Sequence, residues 1–474
     1  MTTINWMEEV EKRKEDLLAD VKSLLQIKSV LDEENATDLA PLGEGVKEAL
    51  DFMLQLGEKD GFYSKNVQNV AGHLEFGQGD ELLGVLCHVD VVPEGDGWSV
   101  DPYSGDIKEG KIFARGAIDD KGPTMAAYYA MKIVKDLELP LSKRVRMIIG
   151  TDEESDWRCV DTYFQHEEMP SMGFAPDADF PIIYAEKGIA DFDVVNQTVS
   201  NQLDECPTYE LVTFQSGRRY NMVPDFAKAV INIGVDPTVI CQSFDDYVKK
   251  QKLEGSYYIE SGQLFITLKG ISAHGSVPNN GKNAGIALAA FLQTFDFDLN
   301  GQKYLLAISK WFFQDVNGEK LGVYFEDNIT GPLTINVGIL QYDKNEGGKM
   351  GLNMRYPVTF DLEQSIQKLE AVFISDGYKI INFTDSKPHH VDEKEELIVT
   401  LKKVYEEQTG EKAELISIGG GTYARSLAAG VAFGPLFPGR EDIAHQKDEY
   451  MYIEDLLKAT AIYAQAIYEL ASSN

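Results

Sequence analysis

The spacing of apolar residues predicts alternating helices and strands over the first 190 residues of the chain. Residues 6–27 and 46–56 carry apolar side chains near helical spacing, so both segments are predicted to be amphipathic helices. Residues 81–93 form an apolar run with polar residues toward its end, which is typical of a strand buried on both faces. Residues 122–138 predict a further helix, with Pro123 in its first turn.

Two more strands are predicted before residue 190. Residues 144–155 run from an apolar stretch into a series of acids, and residues 180–188 form the third strand. Strands that alternate with helices indicate an α/β fold with a mixed, largely parallel sheet. In such sheets, binding sites gather beyond the carboxyl ends of the strands.

The pattern changes between residues 187 and 385, where an inserted α+β segment is predicted. Strand-like stretches occur at residues 190–197, 263–270, 333–340 and 347–362, and helices are predicted near 243–253 and 283–298. The α/β pattern then resumes, with a helix at 395–410, a strand and turn at 414–421, and a closing helix at 455–471. The chain is therefore predicted to have a discontinuous α/β domain, residues 1–186 and 386–474, interrupted by the insertion at 187–385.

Composition and charge narrow the class of protein. A chain of 474 residues with 43% hydrophobic and 26% charged residues is expected to form two or three globular domains. A formal net charge of −33 repels nucleic acid and anionic lipid, so neither is expected as a partner. No signal peptide or membrane span is visible, and the cytoplasm is the expected location. The four cysteines, Cys87, Cys159, Cys206 and Cys241, form no CxxC pair and fit a reducing compartment.

Polar residues lie at the predicted ends of the strands. His88 and Asp90 end one strand, and Glu153 and Glu154 end another. In a strand, residues two apart face the same side, so Asp90 is expected to reach the His88 imidazole and fix its tautomer. Taken alone, such a pair is more often a hydrogen bond at a strand end that only serves the fold.

The remaining chemical candidates are acids and one late histidine. Asp119 and Asp120 precede a predicted helix, where they can cap it, although either carboxylate could also bridge two cations. Asp177 precedes the third strand, and His445 lies before the last helix. Two imidazoles and several carboxylates without a thiolate suit Zn²⁺, Mn²⁺ or Co²⁺. Two such ions polarise a carbonyl and hold a hydroxide, and the adjacent pair at 153–154 offers one general base and one ligand.

The order of these motifs resembles the co-catalytic dizinc peptidase family of aminoacylase, carboxypeptidase G, carnosinase and the bacterial PepV-type dipeptidases. The similarity to the PepV type is carried by CHVDVVPEGDGW, ARGAIDDKGPT, IIGTDEESDW, GFAPDADFP, SGRRYNMVPD, LNMRYP, IGGGTYAR and AHQxxE, over nearly the whole chain. It implies that His88 and Asp177 bind one metal ion, that Glu154 and His445 bind the other, and that Asp119 bridges them. Asp120 remains a second candidate for the bridge.

The resemblance also implies the roles of residues that do not bind metal. Glu153 is the expected general base, and Asp90 is expected to orient His88. In the insertion, which the family uses as a lid, His274 is expected to donate to the developing oxyanion. The lid residues Asn221 and Arg355 are expected to hold the substrate carboxylate. Further substrate contacts are expected from the glycine-rich turn, through Gly421 and Thr422.

The resemblance therefore implies a dipeptidase that hydrolyses small unblocked dipeptides with two divalent ions, most simply zinc. A long lid that supplies its own oxyanion histidine implies a working monomer. An N-acyl amino acid deacylase of the same family is the alternative activity. A metal-binding protein without catalysis is the alternative from another class.

Overall fold

The computed structural model describes residues 4–197 and 207–472. The chain divides into two compact units. The first unit comprises Met1–Ala185, His390–Ser417 and Thr422–Asn474, and the second comprises Glu186–His389 and Ile418–Gly421.

The elements up to residue 186 are α1 (Trp6–Glu11), α2 (Lys14–Leu25), α3 (Glu44–Lys59), β1 (Tyr63–Val67), β2 (Ala71–Gly77), β3 (Leu82–His88), β4 (Asp106–Lys108), β5 (Lys111–Phe113), α4 (Lys121–Asp136), β6 (Arg144–Gly150), α5 (Arg158–His166), β7 (Met172–Ala175), β8 (Ala178–Asp179) and β9 (Ile182–Glu186). Those of the middle of the chain are β10 (Gly188–Asn196), β11 (Tyr209–Ser216), β12 (Phe226–Ile233), α6 (Thr238–Gln251), β13 (Glu254–Glu260), β14 (Gln263–Lys269), α7 (Ala284–Leu292), α8 (Leu299–Phe312), β15 (Glu326–Asp327), β16 (Gly331–Pro332), β17 (Thr334–Asp343), β18 (Gly347–Tyr356), α9 (Leu362–Ser375) and β19 (Lys379–Ser386). The last are β20 (His389–His390), α10 (Glu396–Thr409), β21 (Leu415–Ile418), β22 (Gly430–Ala432), β23 (Pro435–Leu436), β24 (Tyr450–Tyr452) and α11 (Ile453–Ala471), and short 3₁₀ helices span Pro278–Asn280 and Tyr423–Ser426.

The large sheet of the first unit is mixed, with a parallel centre. Its strand order is β1-β2-β6-β3-β7-β22-β9-β20, and β21 also pairs with β9. The neighbours β6, β3, β7 and β22 run parallel, whereas β1, β2 and β6 are joined by antiparallel pairs. Every residue of β3 is buried, as expected of a central strand covered on both faces. The carboxyl ends of β6, β3 and β7 therefore meet at one edge of this sheet.

Helix α4 covers the centre of this sheet and packs against β3, β6 and α11. It is buried along most of its length, and small side chains such as those of Ala126, Ala127 and Ala130 allow close packing. Pro123 lies in its first turn, as predicted, because that position needs no backbone donor. Asp120 is its N-cap residue and places the acidic pair at the edge where β3 ends.

The second unit contains an eight-stranded sheet in the order β13-β14-β12-β11-β17-β18-β10-β19. The predicted strands in this region correspond to β10, β14, β17 and β18, and those strands pair antiparallel with their neighbours. A core of buried apolar side chains from this sheet and from α6, α7, α8 and α9 fills the unit. The predicted helix at 283–298 is too long, because α7 ends at Leu292 and a separate helix, α8, follows.

The first predicted helix is interrupted. Residues 6–27 form α1 and α2, which are separated at Lys12 and Arg13. The segment from Val10 to Leu17 holds only charged side chains between its two apolar ends, so no apolar side chain anchors the intervening turn to the core. The Arg13 guanidinium instead donates to the carbonyl oxygen of Glu9, at 3.0 Å.

Two further sequence expectations concern cysteines and membranes. Cys87, Cys159 and Cys241 are free and buried, and Cys206 lies outside the described residues. Within residues 4–197 and 207–472, no helix combines the length and the apolar character needed to cross a membrane.

Candidate metal centre

The carboxyl ends of three parallel strands bring the predicted residues of the first unit together. His88 is the last residue of β3, and Asp177 follows β7 by two residues. Glu153 and Glu154 lie in the turn that follows β6. Because β6, β3 and β7 are neighbours and parallel, these side chains lie at one edge of the sheet.

Asp119 lies between two imidazoles. Its Oδ1 atom is 3.1 Å from Nε2 of His88, and its Oδ2 atom is 3.0 Å from Nε2 of His445. One carboxylate thus contacts a histidine from β3 with one oxygen and a histidine from the loop before β24 with the other. This is the arrangement that a bridging carboxylate requires.

A second carboxylate accompanies each histidine. Oδ1 of Asp177 lies 3.6 Å from Nε2 of His88, and Oε2 of Glu154 lies 3.0 Å from Nε2 of His445. Two clusters result, each with an imidazole nitrogen and its own carboxylate, and Asp119 contacts both imidazoles. In the second cluster, the ligand atoms of Asp119, Glu154 and His445 all lie within 4.8 Å of one another.

Asp120 also comes within ligand distance of His88 and Asp177. Its Oδ2 atom, however, already accepts hydrogen bonds from the backbone N–H of His88, at 3.1 Å, and from the Thr124 hydroxyl, at 3.0 Å. Those bonds tie the start of α4 to the end of β3. Asp119 makes the closer contact with the His88 imidazole, so the geometry favours Asp119 over Asp120 as the shared carboxylate.

Asp90 contacts His88 from the loop after β3, since the strand ends at His88, two residues before Asp90. The Nδ1 atom of His88 lies 3.1 Å from the backbone carbonyl oxygen of Asp90 and 3.4 Å from its Oδ1 atom. Because a carbonyl oxygen can only accept, Nδ1 carries a proton, and Nε2 faces Asp119. The Oδ2 atom of Asp90 accepts from the backbone N–H of Glu154, at 3.1 Å, which links the two loops.

The histidine pKa values show that the cluster favours positive charge. Burial alone lowers the pKa of His88, but Asp177, Asp119 and Asp90 outweigh it and hold that pKa well above its usual value. Hydrogen bonds to Asp119 and Glu154 raise the pKa of His445 to about 10. Burial raises the pKa of Asp119, but the two imidazoles outweigh it and lower that pKa below its usual range. A cation would compete with a proton for Nε2 of each imidazole, because a metal-bound histidine is neutral.

The neighbouring acids respond in the opposite direction. Burial, with the charge of Asp177 next, raises the pKa of Glu153 well above its usual value. Burial also raises the pKa of Asp177 to about 6 and raises that of Glu154. Carboxylates that are buried together oppose ionisation unless cations compensate them, so this set is suited to positive ions.

The donor chemistry fits divalent transition ions. Imidazole nitrogens and carboxylate oxygens, without a thiolate ligand in either cluster, suit Zn²⁺, Mn²⁺ or Co²⁺. Among the described residues, two buried oxygens at this edge, Oδ1 of Asp90 and Oδ1 of Asp120, have no hydrogen-bond partner. The chemistry of this donor set therefore fits divalent cations.

Three further residues contact the site, although the motifs imply no role for them. Arg115 and Glu449 form a buried ion pair beside Asp119 and His445. Tyr423 lies edge-on against the His88 ring at 5.9 Å, and its hydroxyl lies 3.2 Å from Sγ of Cys159. All three residues occur inside the motifs ARGAIDDKGPT, AHQxxE and IGGGTYAR, but the motifs alone do not show what the side chains contact.

In the second unit, a short antiparallel pairing places Asn221 beside His274. Met222 pairs with His274, the N–H of Gly275 donates to the carbonyl of Asn221 at 2.7 Å, and that of Val223 donates to the carbonyl of Ala273 at 2.9 Å. The backbone of this segment is further held by Asn336, whose amide donates to the carbonyls that flank Asn221, at 2.7 and 2.9 Å.

The protonation state of His274 follows from its contacts. The backbone N–H of Ser276 donates to Nδ1 of His274 at 3.3 Å, and the Ser276 hydroxyl lies 2.7 Å from the same atom. Because an amide can only donate, Nδ1 is the unprotonated nitrogen, and the proton resides on Nε2. Burial and the charge of Arg355 lower the pKa of His274, which favours this neutral form.

The remaining predicted substrate residues are placed as follows. Arg355 lies on β18, is buried, and donates to Oδ1 of Asn353 at 2.8 Å and to the carbonyl of Gly419 at 3.2 Å. Gly421 is exposed in the second unit, and Thr422 is buried in the first.

Comparison with known proteins gives a family match and similar folds. A family model described as Peptidase family M20/M25/M40 matches residues 84–469. Over 468 residues, the chain is 57% identical to a Bacillus subtilis (strain 168) protein named "Putative dipeptidase YtjP", which covers 99% of this chain and 100% of that protein. The solved structure of aminoacylhistidine dipeptidase from Vibrio alginolyticus matches with a TM-score of 0.60 at 12% identity, covering 97% of each chain. Human carnosine dipeptidase 1 matches with a TM-score of 0.52 at 15% identity, covering 98% of each chain. These two structures confirm the predicted α/β fold class.

Proposed function

Because the chain belongs to the peptidase family M20/M25/M40, we propose that it is a metal-dependent dipeptidase that hydrolyses the peptide bond of small unblocked dipeptides. The family membership confirms the resemblance predicted from the motifs. The name of the Bacillus subtilis relative, at 57% identity over nearly the whole length, supports dipeptides as the substrate class.

The contact of Asp119 with both imidazoles is the observation that carries the dinuclear part of this proposal. We propose that His88 and Asp177 hold one divalent ion, that Glu154 and His445 hold the other, and that Asp119 is shared. When bound, two such ions polarise the scissile carbonyl and acidify a water molecule. Zinc is the proposed metal, and manganese or cobalt suits the same donors.

Glu153 is proposed as the general base. Burial and the charge of Asp177 raise the pKa of Glu153, which strengthens this carboxylate as a proton acceptor. In this role Glu153 takes a proton from the attacking water and delivers it to the leaving amine nitrogen. The backbone carbonyl of Asp90 accepts a hydrogen bond from the Nδ1–H of His88 and so keeps Nε2 directed at Asp119, where it could bind a cation.

The substrate contacts are proposed from the second unit and the glycine-rich turn. The neutral tautomer of His274, with its proton on Nε2, supports its role as a donor to the oxyanion that develops on the carbonyl. Asn221 and Arg355 are proposed to hold the substrate carboxylate, for which the planar guanidinium fork of arginine is suited. Gly421 and Thr422 are proposed to offer further polar contacts.

A single assay series tests this function. The purified protein is expected to hydrolyse an unblocked dipeptide, to lose that activity with a chelator, and to regain it when Zn²⁺, Mn²⁺ or Co²⁺ is returned, because the ions supply the electrophile. His445→Ala should abolish most of the turnover. The matched control is His166→Ala, since His166 is exposed and its Nδ1 bonds to the Thr162 carbonyl of its own helix.

The same series separates the alternatives. Faster hydrolysis of the N-acetylated dipeptide than of the free one would identify a deacylase instead. Metal binding without hydrolysis of either compound would identify a binding protein, and hydrolysis that resists the chelator would refute a metal-dependent reaction. A cytoplasmic location and a monomeric state stay predictions from the sequence.

A further inference from the structure

Arg115 and Glu449 form a buried ion pair in the first unit. The two residues are 1% and 0% exposed, respectively, and Nη1 of Arg115 donates to Oε2 of Glu449. Arg115 lies four residues before Asp119, and Glu449 lies four residues after His445. The pair therefore joins the two loops that carry the shared carboxylate and the second histidine.

Each member of the pair also bonds to the backbone of the opposite loop. Oε1 of Glu449 accepts from the backbone N–H of Ile118, at 3.0 Å, and from that of Asp119, at 3.4 Å. Nη2 of Arg115 donates to the backbone carbonyl of His445, at 3.3 Å. Glu449 thus fixes the backbone of Asp119 in the opposite loop, and Arg115 fixes the backbone of His445.

The backbone of His445 shows why such a tether is needed. His445 has a φ of 64°, in the left-handed region that residues other than glycine rarely adopt. A side chain in this conformation keeps its direction only when surrounding contacts determine it. Among the described residues, the Arg115 guanidinium donates to the His445 carbonyl. The buried carboxylate of Glu449 in turn holds that guanidinium in place.

We propose that Arg115 and Glu449 are positioning residues that hold His445 and Asp119 at the separation required by the second cation site, which consists of Asp119, Glu154 and His445. This inference rests on the proposed dinuclear function. In these proposed roles, neither Arg115 nor Glu449 contacts the substrate or the ions. Their effect is to order two ligands from loops that are 330 positions apart in sequence before a cation arrives.

The competing explanation is that the pair serves only the stability of the fold. A second ion pair in the same unit provides the matched control. Arg146 and Glu75 join β6 to β2, with Nη2 and Oε2 2.5 Å apart and with side chains only 6% and 16% exposed. Loss of that pair should lower stability without reaching a metal ligand.

The test compares Glu449→Gln, Arg115→Lys and Glu75→Gln by titrating Co²⁺ into metal-stripped protein and following its visible absorption, together with the thermal midpoint. Glu449→Gln is expected to weaken both Co²⁺ ions, because Glu449 bonds to the backbone of the shared Asp119, but the loss should be greater at the second cation site, which also contains His445. About 10- to 100-fold is expected for that ion, as is typical when an outer partner of a ligand is lost. Arg115→Lys should also weaken that ion, because a lysine keeps the charge but cannot bond to Glu449 and the His445 carbonyl as a fork. Glu75→Gln should bind both ions as the wild type does.

Several outcomes would overturn the inference. If Glu449→Gln bound both Co²⁺ ions with wild-type affinity, the Arg115–Glu449 pair would have only a structural role. The same conclusion would follow if Glu449→Gln lost affinity equally for both ions and Glu75→Gln, at a similar thermal midpoint, showed the same loss. Wild-type metal affinity in Arg115→Lys would refute the proposed role of Arg115 in holding His445. The wild type is titrated in parallel, so a failure of the proposed function is recognised separately. In that case the wild type itself would not bind two Co²⁺ ions, and both proposals would be refuted.

Discussion

Glu153→Gln is expected to lower kcat for dipeptide hydrolysis by about two to four orders of magnitude while both metal ions remain bound. In transition-state terms this loss corresponds to about 2.7–5.4 kcal/mol. Glutamine has the shape of glutamate but cannot take a proton from the attacking water. The measurement is steady-state kinetics on an unblocked dipeptide, together with the metal content of the same preparation.

Two neighbours in the same turn provide the controls for this variant. Glu154→Gln should lose affinity for one ion, because Glu154 contacts the His445 imidazole, at 3.0 Å. Asp156→Asn should retain both ions and full turnover, since Asp156 is an exposed acid of the same turn. Wild-type kcat in Glu153→Gln would remove Glu153 from the role of base, and loss of metal in that variant would make it a ligand instead.

Asp119→Asn is expected to weaken both metal ions, and hydrolysis should fall to background at metal concentrations that saturate the wild type. The physical reason is that the two carboxylate oxygens contact different histidines, at 3.1 and 3.0 Å, so one substitution removes negative charge from both clusters. The loss of affinity should exceed the roughly 10- to 100-fold that removal of an outer partner costs. Calorimetric titration of metal-stripped protein measures both affinities.

His88→Ala is the informative comparison for Asp119→Asn. His88 belongs to only one cluster, so its loss should weaken one ion much more than the other. If Asp119→Asn instead gave that same one-ion pattern, Asp119 would be an ordinary ligand, and Asp120 would become the candidate for the shared carboxylate because it also lies near His88 and Asp177.

Sequence patterns predicted the elements that carry the site because those elements have strong hydrophobic signals. The strand ending at His88 is an unbroken apolar run, and α4 begins at Lys121, one residue before the predicted start. The short strand β7, Met172–Ala175, was missed, because four residues are too few to show a period. Asp177 precedes β9, in agreement with the prediction, and it also follows β7, which places it at the same edge as His88.

The second unit shows a different limit of sequence patterns. The predicted helix at 283–298 merged α7 with the loop that follows it, and α8 was not predicted. Asp298 caps the start of α8, because its side chain accepts from the N–H of Gly301, at 2.9 Å, and it also accepts from that of Leu211, at 2.8 Å, on a strand far away in sequence. A cap that is shared with a distant strand leaves no local pattern in the sequence.

Individual roles within the metal centre depend on contacts that residue order does not reveal. The residue pattern alone does not distinguish the adjacent acids Glu153 and Glu154, to which the family resemblance gives different roles, and the contact of Glu154 with His445 agrees with its expected role as a ligand. Arg115 and Glu449 likewise occur in recognisable motifs, but their pairing connects residues 334 positions apart. Motif order therefore predicted the composition of the site, and the fold was required to show how its members are joined.

The proposed dipeptidase with two divalent ions can be tested by titrating Zn²⁺ into metal-stripped protein while dipeptide hydrolysis and bound metal are measured together. We expect no hydrolysis without metal, and activity that reaches its plateau when two ions are bound per chain. Hydrolysis that persists in the stripped protein, or a plateau with one bound ion and no second site, would contradict the proposal.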